Sequence, residues 1–194
     1  MKRISFLLLI FALLNACDSS TGTSDGTMIP LPPGHAEITP YNDGTGLVRV
    51  TSYKADGAIL EQGDYLNNYR EGVYTIFFDN GFVNSTCGYV KGKKQGQMLV
   101  MDNRGQLEER LTYHNDILNG PFVKYNRTRI KEKGTYLNGK LNGELEKFYP
   151  NGTIMERTNY ANGQLDGIAR WYDQEGNLSI EYTYKEGQLV QEEE

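Results

Sequence analysis

Tyrosine recurs at positions 41, 65, 89, 113, 136, 160 and 184, a spacing of twenty-four residues with one interval of twenty-three. Three residues after each comes Gly44, Asn68, Gly92, Asp116, Gly139, Gly163 or Gly187, all residue types that tolerate positive φ. Seven residues after come Val48, Gly72, Gly96, Gly120, Gly143 and Gly167, and sixteen after come Gly57, Gly81, Gly105, Gly152 and Gly176. The repeat opening at Tyr113 lacks the last of these glycines and is the one that is a residue short. Self-similarity at such a period marks a repeat array, in which each unit buries its apolar face only against its neighbours. Six full repeats and a truncated seventh fill residues 41–194.

Each repeat carries two turn signals, one like Asn138-Gly139 or Asn162-Gly163 and one like Asp56-Gly57, Asn80-Gly81 or Asn151-Gly152. Asn-Gly and Asp-Gly pairs favour type I′ turns between antiparallel strands, so both signals predict such turns. The 22 glycines and 14 tyrosines, against only 38% hydrophobic residues, agree with turn-rich β-structure. The fold class is therefore all-β: an elongated antiparallel meander of stacked hairpins, about six repeats and twelve strands, roughly 55 Å long at about 4.8 Å per strand.

Register follows from the turn. With offsets fifteen and sixteen as turn residues, facing positions have offsets that sum to thirty-one. Ala169 then faces Tyr182, Phe122 faces Gly134 and Leu145 faces Thr158, with large opposite small in the first two. Tyr89 faces Gly72 and Tyr160 faces Gly143, which predicts an aromatic ring lying over each of these strand glycines. Offset twenty carries Glu61, Glu109 and Glu156, with Glu132 at the equivalent place in the short repeat; Glu156 faces Lys147 and Glu132 lies near Lys124. Where this glutamate is replaced by Ile180, the facing residue is Trp171.

The amino-terminal segment has a different character. Lys2 and Arg3 precede an apolar run of eleven residues, 4–14, too short to span a bilayer, so residues 1–16 read as a signal peptide. Leu14-Asn15-Ala16-Cys17 resembles the lipobox of bacterial lipoproteins, which implies that Cys17 becomes the lipidated amino terminus; the alternative is an ordinary signal peptide with an incidental cysteine. Two or more acyl chains make a stable anchor at ~0.8 kcal/mol per buried methylene. Ser, Thr, Gly and Pro dominate the stretch after it, so residues 17–40 comprise the lipidated Cys17 and a flexible tether, and 41–194 the repeat domain. Cys87 is then the remaining cysteine, expected to pack as a small apolar side chain.

Tyr-x-x-Gly-x-x-x-Gly, followed by an aromatic pair such as Phe148-Tyr149 and then by Asn151-Gly152, resembles the bacterial variant of the MORN repeat across residues 41–194. The resemblance implies a sheet of stacked hairpins and a role in binding rather than catalysis. Bacterial members include antitoxins, such repeat proteins occur as immunity partners of secreted toxins, and eukaryotic relatives are linked to membranes and scaffolding. Val48, the 126–129 turn without glycine, and Met101-Asp102 in place of an aromatic pair depart from the pattern.

A net charge of −5 excludes the basic footprint of a nucleic-acid-binding protein. No P-loop, dinucleotide fingerprint or nucleophile elbow is present, and His35 and His114 lack metal-ligand spacing, so no cofactor or metal is expected. The glutamate ladder would suit paired carboxylates, yet it recurs along the array beside lysines, whereas an active site is singular. Enzymatic activity is therefore not expected.

The candidate partner-binding residues stand at offset twelve: Tyr53, Phe77, Met101, Tyr125, Phe148 and Tyr172. By parity they point to the face opposite the tyrosine–glycine pairs, and a single-layer sheet cannot bury both faces. Such a row fits a protein interface, and equally an aromatic ladder packed on itself. The expected function is a membrane-anchored binding protein outside the cytoplasm of a bacterium, capturing a protein partner such as a toxin. The alternative is a structural scaffold of the envelope.

Overall fold

A computed structural model of the chain describes residues 36–190. Residues 1–16, Cys17, the tether up to His35 and the last four glutamate-rich residues lie outside the described span. Its ordered elements are all strands: β1 (Ala36–Pro40), β2 (Val48–Tyr53), β3 (Ile59–Leu66), β4 (Tyr69–Phe77), β5 (Val83–Val90), β6 (Lys93–Met101) and β7 (Leu107–His114). They continue with β8 (Ile117–Leu118), β9 (Gly120–Asn126), β10 (Arg129–Leu137), β11 (Lys140–Leu141), β12 (Gly143–Phe148), β13 (Ile154–Ala161), β14 (Gln164–Leu165), β15 (Gly167–Tyr172), β16 (Leu178–Lys185) and β17 (Gln188–Leu189). Each pairs antiparallel with its chain neighbour in one open sheet, and β8–β9, β11–β12 and β14–β15 are each a single strand interrupted by one residue. Counted that way, the twelve expected strands run from β2 to β16.

The sheet begins earlier than composition indicates. Residues 36–40, assigned to the tether, form β1 and pair with β2 from Ala36↔Ser52 to Pro40↔Val48. The Ser/Thr/Gly/Pro content of the longer segment conceals a short run with β-branched Ile38 and Thr39. This run covers the edge of β2, and its Pro40 stands at the strand end, where a missing N–H is tolerated.

The two turn signals are built differently. At the repeat junctions both central residues are left-handed, as in Asn138 (φ 50°) and Gly139 (φ 80°), which is the expected type I′ pattern. At the hairpin tips that carry a glycine, only that glycine is left-handed, as Gly152 at φ 95°. Gly152 N–H donates to Tyr149 O at 2.9 Å and Tyr149 N–H to Thr153 O at 2.9 Å, the pattern of a type I turn closed by a glycine bulge. The expectation of type I′ turns at the tips is therefore corrected. The asparagine or aspartate there serves another purpose: Asn151 Oδ1 accepts Thr153 N–H at 3.0 Å, and Asp56 Oδ1 accepts Ala58 N–H at 3.0 Å.

The predicted facing pairs are observed: Ala169↔Tyr182, Phe122↔Gly134, Leu145↔Thr158, Tyr89↔Gly72 and Tyr160↔Gly143. The reason proposed for the offset-seven glycine is not. A Cβ on Gly143 would meet nothing within 4 Å, and on Gly72 only the tip of Asp64 at 3.7 Å, so no ring rests there. Gly143 instead takes φ 85° at the break between β11 and β12, where an L side chain is strained whatever the space around it.

Repeats are stitched through their turns. Gly139 N–H donates to Leu118 O at 2.8 Å, Gly163 N–H to Leu141 O at 2.9 Å and Gly187 N–H to Leu165 O at 2.8 Å. In each, the junction glycine reaches the carbonyl of the previous repeat, so a fixed period satisfies backbone groups that a lone hairpin would leave open.

The core lies on the tyrosine face. Offset nine supplies Val50, Tyr74, Phe122, Leu145 and Ala169, each buried. Around Tyr74, Tyr65 and Tyr89 stand edge-on with ring centroids 6.2 and 5.9 Å away, and Cys87 is buried in the same cluster.

Candidate partner-binding face

The opposite face presents a row that crosses the whole sheet. Facing pairs place Thr51, Gln62, Thr75, Thr86, Leu99 and Arg110 side by side from β2 to β7. Val123, Lys133, Glu146, Arg157, Arg170 and Glu181 carry the same row from β9 to β16. From Thr51 to Leu99 it is neutral, tied by Gln62 Nε2 donating to Thr51 Oγ1 at 2.9 Å. Its second half is ionic and centres on Glu146, which is only 6% exposed.

Lys133 Nζ stands 2.6 Å and Arg157 Nη2 2.7 Å from the Glu146 carboxylate. Burial alone would push that carboxyl up. Hydrogen bonds from Lys133 and Arg157 outweigh it and hold Glu146 below the ordinary glutamate range. Arg170 pairs with Glu181 at 2.7 Å further along. Sequence reading missed this group: Glu146 opposite Arg157 follows from the register within one hairpin, but Lys133 opposite Glu146 depends on the register between hairpins, which no tip turn gives.

The offset-twelve residues share this face. Tyr53 OH donates to Glu37 Oε2 at 2.9 Å, and the Phe148 ring centroid lies 5.4 Å from Lys133 Nζ; Glu37 pairs with Thr51, and Lys133 belongs to the row. All six of Tyr53, Phe77, Met101, Tyr125, Phe148 and Tyr172 are half-buried, so each presents part of its side chain to solvent while resting on neighbours.

On the tyrosine face the glutamates interleave with lysines. Glu109 faces Lys124, Lys124 faces Glu132, Glu132 faces Lys147 and Lys147 faces Glu156. Lys124 Nζ is 3.5 Å from Glu132 and Lys147 Nζ 2.9 Å from Glu156. A lysine thus stands between successive carboxylates along this part of the ladder. His114 is exposed, with its ring against Gln95 Nε2 at 3.1 Å. Among the described residues no group of three His, Cys, Asp or Glu could hold a metal ion. Burial pushes the Cys87 thiol up, away from the reactive thiolate. Cys17 lies outside the described residues.

An open antiparallel sheet of stacked hairpins, with a core on one face and a half-buried aromatic row on the other, defines a β-hairpin repeat protein. Residues 141–162 and 165–186 match the model of the MORN repeat variant, so this part of the array consists of repeats of that type. No curated protein was found to match the chain.

Proposed function

We propose that this chain is a non-enzymatic, membrane-anchored binding protein of the bacterial envelope that captures a protein partner on the face bearing Tyr53, Phe77, Met101, Tyr125, Phe148 and Tyr172. The observation that carries this reading is the row itself: six large side chains in register on a face over which the described residues lay no second layer. MORN repeats are in general protein- or membrane-binding motifs, which supports the same class. The anchor rests on the sequence around Cys17, and export with that anchor puts the repeat domain outside the cytoplasm. The most concrete form is an immunity or antitoxin protein whose partner is a toxin.

Pull-down of the full chain from native membranes tests the reading, with a toxin among the partners as the expected result. Recovery of envelope structural proteins alone would replace it with the scaffold reading. Replacing Phe77 and Tyr172 by serine should weaken capture without unfolding the sheet. Cys17→Ser should abolish incorporation of labelled palmitate, and incorporation that survives refutes the anchor. Any catalytic activity lost on changing Glu156 alone would overturn the non-enzymatic assignment.

A further inference from the structure

The hairpin tips form a ridge, and the ridge is broken at one place. Lys54 Nζ reaches Asp79 Oδ1 at 2.6 Å, Asn80 Nδ2 donates to Asn103 O at 2.6 Å, and Asn151 Nδ2 donates to Gln174 O at 3.0 Å, each joining adjacent tips. Among the described residues no hydrogen bond or ion pair joins the 102–105 tip to the next. That next tip is the one in the shortened repeat, where Asn126 faces Arg129 directly and Arg127-Thr128 alone make the turn. Being shorter than its neighbours, it leaves a cleft on either side.

The cleft toward Pro150 has a volume of about 650 Å3, with Phe148, Tyr149 and Ile130 in its lining and Arg127, Arg129 and Lys131 around it. The cleft toward Asp102, of about 410 Å3, shares Arg127 and Lys131 and adds Tyr125 and Arg104. The first has no acidic residue in its lining. In the second, Asp102 is engaged by Arg104 at 2.7 Å and by the loop amides of Arg104 and Gln106, and Glu108 is the other acidic residue of the lining, against Arg104, Arg127 and Lys131. Arg127 and Lys131 make no ion pair among the described residues. In a chain of net charge −5 this is a local reversal of sign, set on aromatic side chains that belong to the offset-twelve row.

We infer that the paired clefts flanking the Asn126–Arg129 hairpin seat an acidic segment of a partner protein, its carboxylates on Arg127 and Lys131 and its apolar side chains on Phe148, Tyr149 and Tyr125. The inference rests on the protein-capture reading above and gives that face its anchoring point. Two observations select a peptide over a lone phosphate or a lipid surface. The clefts are much larger than one phosphate and lined by aromatic rings. They are recessed between tips, where a flat bilayer does not enter. Arg127 also occupies a left-handed position, φ 57°, where glycine would be unstrained, so its side chain is not there for the sake of the turn.

The test uses the full chain and three short fluorescent peptides in which phenylalanine alternates with glutamate, glutamine or lysine, read by anisotropy. Phosphatidylglycerol vesicles and inorganic phosphate serve as competitors. Wild type should bind the glutamate peptide roughly tenfold or more tightly than the other two, and high salt should weaken that binding. The Arg127→Gly, Lys131→Gln double variant should lose roughly tenfold or more of it while melting no lower than wild type, because glycine relieves the turn. Equal binding of the three peptides, or binding unchanged in the double variant, overturns the inference; so does full competition by phosphate or vesicles. If the peptide is indifferent to Arg127 and Lys131 but lost when Tyr53 and Phe77 are changed, protein capture stands and the clefts are not its anchor. Failure of the membrane pull-down together with intact, cleft-dependent peptide binding would remove the envelope partner and leave the cleft.

Discussion

Gly63 and Tyr74 face each other across β3 and β4, and a Cβ on Gly63 would stand 2.1 Å from the ring Cδ2. The ring is 5% exposed and held between Tyr65, Tyr89 and the Arg70 guanidinium, whose Cζ lies 3.8 Å from the ring centroid. It therefore cannot swing away. Gly63→Ala should destabilise the domain by about 1–3 kcal/mol through overpacking, seen as a lower urea midpoint at constant slope. A neutral result would mean that the tyrosine cluster is loosely packed.

Gly143 is constrained by its backbone and not by volume. Gly143→Ala should cost about 1–2 kcal/mol, the penalty of a left-handed L-residue, and Gly143→Asn should recover part of it because asparagine tolerates that conformation. Thermal melts of the two variants decide the matter: if the larger asparagine costs more than alanine, space is the constraint after all.

Glu146 links stability to pH. Its folded pKa is depressed, so its contribution is complete above the unfolded glutamate value of about 4.3 and is lost as pH falls below that toward the folded value. Glu146→Gln should cost about 1–2 kcal/mol at neutral pH, since Lys133 and Arg157 lose a charged acceptor but can turn toward solvent. The gap between wild type and variant should close in acid, measured by urea titrations at a series of pH values. A gap that persists at low pH would assign the loss to shape instead of charge.

Cys87 should be silent in the native protein. With Cys17 replaced by serine it is the sole thiol, 5% exposed and with its pKa raised by burial. Ellman's reagent should react only as denaturant unfolds the sheet. Stoichiometric labelling under native conditions would contradict its place in the core.

Tyr149 joins two tips through its hydroxyl, which donates to Tyr172 O at 2.8 Å. Tyr149→Phe should cost about 0.5–1.5 kcal/mol and speed amide exchange in the 173–177 loop first. Uniform loss of protection across the sheet would show that the tips do not open independently.

How far the sequence reaches can be read from particular residues. Lys147 opposite Glu156, and Trp171 opposite Ile180, were legible because a tight tip turn and strict alternation fix the register inside one hairpin. Cys87 in the core was legible from its residue type, since a free cysteine packs as a small apolar side chain. The short hairpin at 126–129 was visible as a missing residue, but its meaning was not, because a cleft is a property of three adjacent tips. Asn151 was read as half of a type I′ pair, whereas its side chain caps Thr153; both roles use the same two letters.

By itself, the sequence determined the repeat, its hairpins and the pairing within them, since these follow from chirality, turn chemistry and a period of two. Tertiary structure decided the rest. It set the register between hairpins through the junction hydrogen bonds, and so placed Lys133 on Glu146 and alternated Glu109 to Glu156 with lysines. It brought residues 36–40 into the sheet as β1 and opened clefts beside the one short tip. Contacts between repeats join residues of different hairpins, and their geometry depends on how the whole array stacks, which no local pattern encodes.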